Sequence, residues 1–177
     1  MSQYTYDEAR QMIKSGDIIF VKGRPQDVVE KVIMKATRSK FSHVCVAFWV
    51  NECNSEFSRL LVVEAQGNTS RRITNLSFYA DRELVVVKSP KPWSEVRELA
   101  LDKVSRANYG YIDALWVGTR EWSQRVLRLN LPKLDFEGET CSEFVARLYD
   151  MNEVIVSPQK LYSNLIRSGA STFSVAK

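Results

Sequence analysis

The sequence predicts an α+β fold in which a central antiparallel sheet packs against helices. Three observations carry this. Runs with strand character cluster between Gly16 and Ser89. Helical spacing dominates from Trp93 onward. No internal repeat, low-complexity run or linker divides the two parts, so residues 1–177 read as one domain.

The elements follow in order. Asp7 to Lys14 reads as a short helix with Ala9, Met12 and Ile13 on its apolar side, ended by Gly16. "GDIIFVKG" is a strand between glycines, rich in β-branched and aromatic residues. "QDVVEKVIMKATRS" repeats Val28, Val29, Val32, Ile33 and Ala36 at helical spacing. "SHVCVAFWV" and "RLLVVEAQ" are strands on either side of the polar "NECNSEFS", which makes them a hairpin. With Asn54 and Ser55 at its centre, facing positions sum to about 109. "RRITNL" and "ELVVVKS" add two strands. After "SPKP" come helices over Trp93 to Arg106 and Cys141 to Tyr149, with a less regular stretch from Tyr111 to Leu129. Ser157 and Pro158, an N-cap and a first-turn proline, open the last helix.

Composition narrows the function. Of 177 residues, 45% are hydrophobic and 11% aromatic, enough for a packed core and against disorder. A net charge of +4, spread along the chain, is not a nucleic-acid footprint. No run approaches the roughly 20 apolar residues that span a bilayer. The opening "MSQYTYDEARQMIKSGD" lacks the apolar core of an export signal, which predicts a cytoplasmic protein. Three cysteines without a CxxC pair, and one histidine, predict neither a disulfide framework nor a structural metal site, and no cofactor motif is present.

The chemistry centres on "TCSE". Thr140 as N-cap and Glu143 three residues on form a capping box, which puts Cys141 in the first turn of a helix. Unpaired amides and the positive dipole end favour a thiolate there. A small apolar residue packing a helix start would give the same spacing. A thiolate nucleophile needs a base, and His43 is the one histidine in the chain. Strand alternation puts His43, Cys45 and Ala47 on one face of "SHVCVAF", with the more apolar Val44, Val46 and Phe48 opposite. An imidazole in turn needs an acceptor to fix its tautomer. Glu64 interrupts the apolar run Leu60 to Val63, and an unpaired carboxylate there would be costly. The hairpin register sets His43 opposite Gln66, with Glu64 two residues away on the same face. Glu64 and Gln66 are both candidates to orient the ring. Cys45 reads as packing and Cys53 as an incidental thiol in the turn. Trp116 and Trp122 read as core. Arg71 and Arg72 read either as solvated or as holding an acidic substrate group.

The order "GDIIF", "SHVCVAF", "VVEAQG", "TCSEFVARLY", "SPQKLY" resembles the circularly permuted NlpC-like, papain-like thiol hydrolases, which include relatives of lecithin retinol acyltransferase. The resemblance runs from Gly16 to about Leu165. It implies a permuted papain-like fold with the histidine strand ahead of the cysteine helix. It also implies Cys141 as nucleophile, His43 as general base and acid, and Glu64 as the orienting residue. "GD" at Gly16 and Asp17 matches a structural strand start. "YGYIDAL" resembles the segment that brings a tyrosine near the nucleophile, so Tyr109 or Tyr111 becomes a substrate-binding candidate together with Gln66. Cys45 and Ala47 depart from the family's usual small residues after the histidine. The implied function is a cysteine peptidase or amidase that cleaves an amide or ester bond in a peptide or acyl-lipid substrate. Acyl transfer to a lipid or amine is the alternative within this chemistry, and a non-catalytic binding module on the same scaffold is the alternative outside it.

Overall fold

The computed structural model describes residues 2–51, 58–65, 71–102, 104, 128, 140–151 and 157–176. Seven strands form one sheet: β1 (Gln3–Tyr4), β2 (Ile18–Lys22), β3 (Phe41–Val50), β4 (Arg59–Ala65), β5 (Arg71–Asn75), β6 (Leu84–Val87) and β7 (Thr172–Val175), in the spatial order β1-β7-β6-β2-β3-β4-β5. The sheet is mixed: the central strands β2 to β6 pair antiparallel, as expected, and a parallel pair lies at one edge. β1 runs parallel to β7, and every other neighbouring pair is antiparallel. The exception lies at the termini, where two residues of β1 and four of β7 are too short to leave a periodic signal.

The helices are α1 (Tyr6–Met12), α2 (Val28–Thr37), α3 (Trp93–Asp102), α4 (Cys141–Leu148) and α5 (Pro158–Arg167). A short 3-10 turn covers Leu76–Tyr79. α1 starts earlier than its apolar spacing suggests because Thr5 and Glu8 form a capping box. Asp27 and Ser157 cap α2 and α5 through their side chains.

β2 and β3 are buried on both faces, so the sheet has two apolar layers. On one side Phe20, Val44, Val46, Val63 and Val85 meet Phe144, Val145 and Leu148 of α4 and Leu161 and Leu165 of α5. On the other, Ile19, Cys45, Val62 and Val86 meet Ala9 of α1, Ile13 just after it, and Leu76 and Tyr79 of the 3-10 turn. The face that carries His43 is itself apolar at Cys45 and Ala47, both without solvent exposure.

Two details aim the candidate site. The β2–β3 register pairs Val21 with His43 but Lys22 with Phe41, so Ser42 is an extra residue, a bulge. Phe41 and Val44 then share the α4 side of the sheet, and His43 sits at the point where alternation breaks. Nearby, Gly16 at φ +95° begins the strand entry, and Asp17, 2% exposed, accepts from Lys88 Nζ at 2.7 Å and the Lys14 amide at 2.8 Å. The Tyr149 hydroxyl, just after α4, donates to the Gly16 carbonyl. The "GD" pair thus ties the end of the cysteine helix to the sheet.

Phe144 joins α4 to the sheet at 1% exposure, and the Arg71 guanidinium stacks 4.5 Å from its ring centroid. Phe144→Ala is expected to lower the unfolding free energy by about 3–5 kcal/mol in urea titrations, the range for emptying a buried aromatic site. A loss below about 1 kcal/mol would mean that α4 is not docked as described.

Candidate functional site

Each site residue is placed by a separate local cause. Thr140 caps α4: its hydroxyl accepts from the Glu143 amide, and the Glu143 carboxylate accepts from the Thr140 amide at 2.9 Å. Cys141 is therefore the first residue of the helix and is 6% exposed. Its amide has no acceptor within the helix, since the first-turn N–H groups lie beyond the i−4 ladder.

His43 lies in β3 beside the bulge. The observed β3–β4 pairs, such as Val46 with Val63 and Phe48 with Leu61, sum to 109, the register read from the turn. Glu64 sits one residue from the end of β4 and has no solvent exposure. His43 Nε2 meets Glu64 Oε2 at 2.6 Å. A carboxylate can only accept, so Nε2 carries the proton, which leaves Nδ1 as the nitrogen available on the other edge of the ring. The charge of Cys141 acts on the same imidazole, which places the thiol near the ring. Cys141 comes from the α4 layer and Glu64's partner Tyr79 from the opposite one. His43, where the alternation breaks, is touched from both.

Glu64 is further held by two groups that the sequence reading did not assign to it. Tyr79 donates its hydroxyl to Oε2 at 2.5 Å, and Arg72 Nε donates to Oε1 at 2.8 Å. Tyr79 also packs its ring 5.9 Å from that of His43. Arg72 stands directly across from Glu64 in the β4–β5 ladder. Arg71 is buried, donating to the Leu99 carbonyl at 2.7 Å. Neither arginine is simply solvated, and Arg72 serves a carboxylate of the protein itself. A cross-strand pairing of Glu64 with Arg72 could have been found by centring a hairpin on Asn68. Tyr79 gave no such signal, because the 3-10 turn that carries it has no periodic pattern.

The electrostatics follow from these contacts. Burial raises the Glu64 carboxyl, but His43, Tyr79 and Arg72 together outweigh it and hold Glu64 below the usual carboxylate range. Burial lowers the imidazole. Against that, the hydrogen bond and charge of Cys141, followed by those of Glu64, push His43 up to about 10. Burial, with the Cys45 and Glu64 charges, raises Tyr79, so it remains a donor at neutral pH. Burial also lifts the Cys45 thiol well above its ordinary range, with the Glu64 and Cys141 charges adding to it. Cys45 Sγ contacts the Ile19 carbonyl at 3.8 Å, as a packed thiol would.

The ligand atoms of His43, Cys45 and Glu64 lie within 4.8 Å of one another, closer than backbone spacing along the strand suggests. A metal ion would have to break the His43–Glu64 bond, sit beside the Arg72 guanidinium and deprotonate a thiol that burial keeps protonated. The set fits proton exchange better than a cation. Chemically, the array can pass a proton between Cys141 and the ring while Glu64 stabilises the imidazolium. Gln66, Tyr109, Tyr111, Trp116, Trp122 and Cys53 lie outside the described residues. Among the described residues, no helix is long and apolar enough to cross a membrane.

No family model and no curated protein matches the chain. Among solved structures it is similar to the metalloprotein yiiX of Escherichia coli O157:H7, a DUF1105 protein, at 19% sequence identity and a TM-score of 0.49. The match covers 93% of this chain and 97% of that one.

His43 is the sole histidine, so its ring resonances report the site without ambiguity. The imidazole is expected to titrate near 10 rather than 6.5, and Cys141→Ser or Glu64→Gln should move the midpoint down. Because the folded-state value lies above the unfolded one, the stabilising contribution is complete below 6.5 and fades as pH rises toward 10. A wild-type midpoint at 6.5, unchanged in both variants, would contradict the pairing.

Proposed function

We propose that the protein is a cysteine hydrolase with a permuted papain-like fold, cleaving an amide or ester bond through a thioacyl-enzyme. One observation carries the reading. A buried carboxylate bonds the imidazole, and a thiol at a helix N-terminus in the opposite layer acts on the same ring. The order of these groups, histidine strand first and cysteine helix late, supports the permuted assignment.

In this mechanism His43 holds the proton of the Cys141 thiol, and Sγ attacks the substrate carbonyl carbon. The carbonyl oxygen gains the negative charge, and the Cys141 amide at the start of α4 is placed to donate to it. Collapse breaks the bond to the leaving group, which takes the proton from His43. Water then attacks the thioester carbon and gives a proton to His43. Collapse of that intermediate breaks the C–S bond, releases the acid and leaves the Cys141 sulfur beside the protonated His43. Glu64, locked by Tyr79 and Arg72, keeps Nε2 protonated throughout and so keeps the other edge of the ring available. The substrate in this reading is a peptide or an acyl lipid.

Iodoacetamide should modify Cys141 well below pH 8, ahead of Cys45 and Cys53, and His43→Ala should remove that preference. With an ester or peptide substrate, His43→Ala should lower kcat/KM by roughly 10²–10⁴-fold, the usual share of a general base. An acyl adduct on Cys141 in a quenched mass spectrum would complete the case. Equal labelling of Cys141 and Cys53, with no adduct on any ester or peptide tried, would end it.

A further inference from the structure

Two donors meet on one oxygen of Glu64. His43 Nε2 reaches Oε2 at 2.6 Å, and the Tyr79 hydroxyl reaches the same atom at 2.5 Å, while Arg72 Nε takes Oε1 at 2.8 Å. Glu64 has no solvent exposure and Tyr79 has 4%, so bulk water does not take the place of either donor. Holding the carboxylate would need no particular oxygen. Sharing one with the imidazole does something more.

A hydrogen bond to the charged form lowers a carboxylate's affinity for protons. A second donor on Oε2 therefore makes that oxygen a weaker partner for the Nε2 proton. Arg72 works on the other oxygen and does not compete for the same lone pairs. The phenol is held for this task. Its ring lies 5.9 Å from the imidazole at a tilt of 31°, and Phe78 packs against it edge to face at 5.2 Å. Burial keeps the hydroxyl protonated, so it stays a donor while the imidazole titrates.

Other ionisable groups approach the ring from each side. Cys141 acts from α4, and Cys45 on β3 has its sulfur within 4.8 Å of the His43 and Glu64 ligand atoms. Across the cavity that His43 and Tyr79 both line, Arg24 pairs with Asp81 and Arg82 with Glu30. Among the described residues, Glu64 is thus the carboxylate bonded to the ring, and Tyr79 is the neutral donor on that carboxylate.

We propose that Tyr79 is a positioning residue that tempers the pull of Glu64 on the imidazolium, through the oxygen that Tyr79 and His43 share, so that His43 can give its proton to the leaving group. The role rests on the hydrolase reading above and adds to it a control on proton transfer. In acylation the bond from the carbonyl carbon to the leaving nitrogen breaks. Its electron pair stays on nitrogen, which takes the proton from the imidazole. An imidazolium held too tightly by Glu64 gives that proton up more slowly. An amide nitrogen depends on the proton to leave, whereas the phenolate of an activated phenyl ester leaves without it.

The direction of one shift tests this. Loss of a merely structural contact would loosen the Glu64–His43 bond and lower the imidazole midpoint, as Glu64→Gln does. Tyr79→Phe should do the reverse: raise the midpoint of the single histidine and move its Nε2 proton resonance downfield. A fluorinated tyrosine at position 79, a stronger donor of nearly the same shape, should lower the midpoint and move that resonance upfield. It keeps the contacts of the phenol, so it carries the test where Tyr79→Phe does not fold. Tyr79→Phe should also slow acylation by an amide roughly three- to tenfold, a part of the worth of one hydrogen bond to a charged group. Acylation by an activated phenyl ester should be unchanged. A midpoint lowered or unmoved in Tyr79→Phe, or shifts of the same direction in both proteins, would overturn the proposal even if an acyl-enzyme forms. Opposed shifts in a protein that never acylates would keep the control of His43 by Tyr79 and remove the hydrolase.

Discussion

The site depends on one buried charge. Glu64 is wholly shielded from solvent, and an isolated carboxylate there would be strongly disfavoured. Three donors on different elements compensate it: His43 on β3, Arg72 on β5 and Tyr79 on the 3-10 turn. The need to satisfy one carboxylate thus fixes the relative positions of three segments. Removing a single partner of such a group typically destabilises by about 3–5 kcal/mol, because the charge stays buried. The same network settles the histidine tautomer, so stability and ring orientation come from one set of bonds.

The second constraint is where the imidazole can be reached. A sheet buried on both faces ordinarily separates the groups above it from those below. At His43 the Ser42 bulge breaks the alternation, and the ring bonds Glu64 beside Tyr79 from one layer while the charge of Cys141 acts on it from the helix layer. A thiol and a carboxylate that belong to opposite layers therefore converge on one side chain. Bulges recur beside functional sites because they re-aim a residue without undoing the ladder.

Cys45 illustrates how position selects reactivity. Two thiols lie near the same histidine. Cys45 is fully buried next to a carboxylate, which keeps it protonated and unreactive. Cys141 stands at a capped helix start, docked through Phe144, Val145 and Leu148 and tied back to Gly16 through Tyr149. The helix is held at both ends, so the sulfur is presented by rigid structure.

What the sequence determined by itself was local. Thr140 and Glu143 declared a capping box because both partners lie within one turn. The β3–β4 register followed from the turn centre, since residues that face each other in a hairpin lie symmetrically about it. Those two features brought Cys141 forward and left Glu64 and Gln66 as candidates beside His43, and the family resemblance chose Glu64. The tertiary structure decided what no short window contains. Tyr79 reaches Glu64 from a turn without periodicity, Ser42 is an extra residue only relative to β2, and β1 joins β7 from the far end of the chain. These are contacts between segments whose individual patterns say nothing of each other. Burial of the Glu64 charge decides the first of them, because its compensation is sought in space and not along the chain.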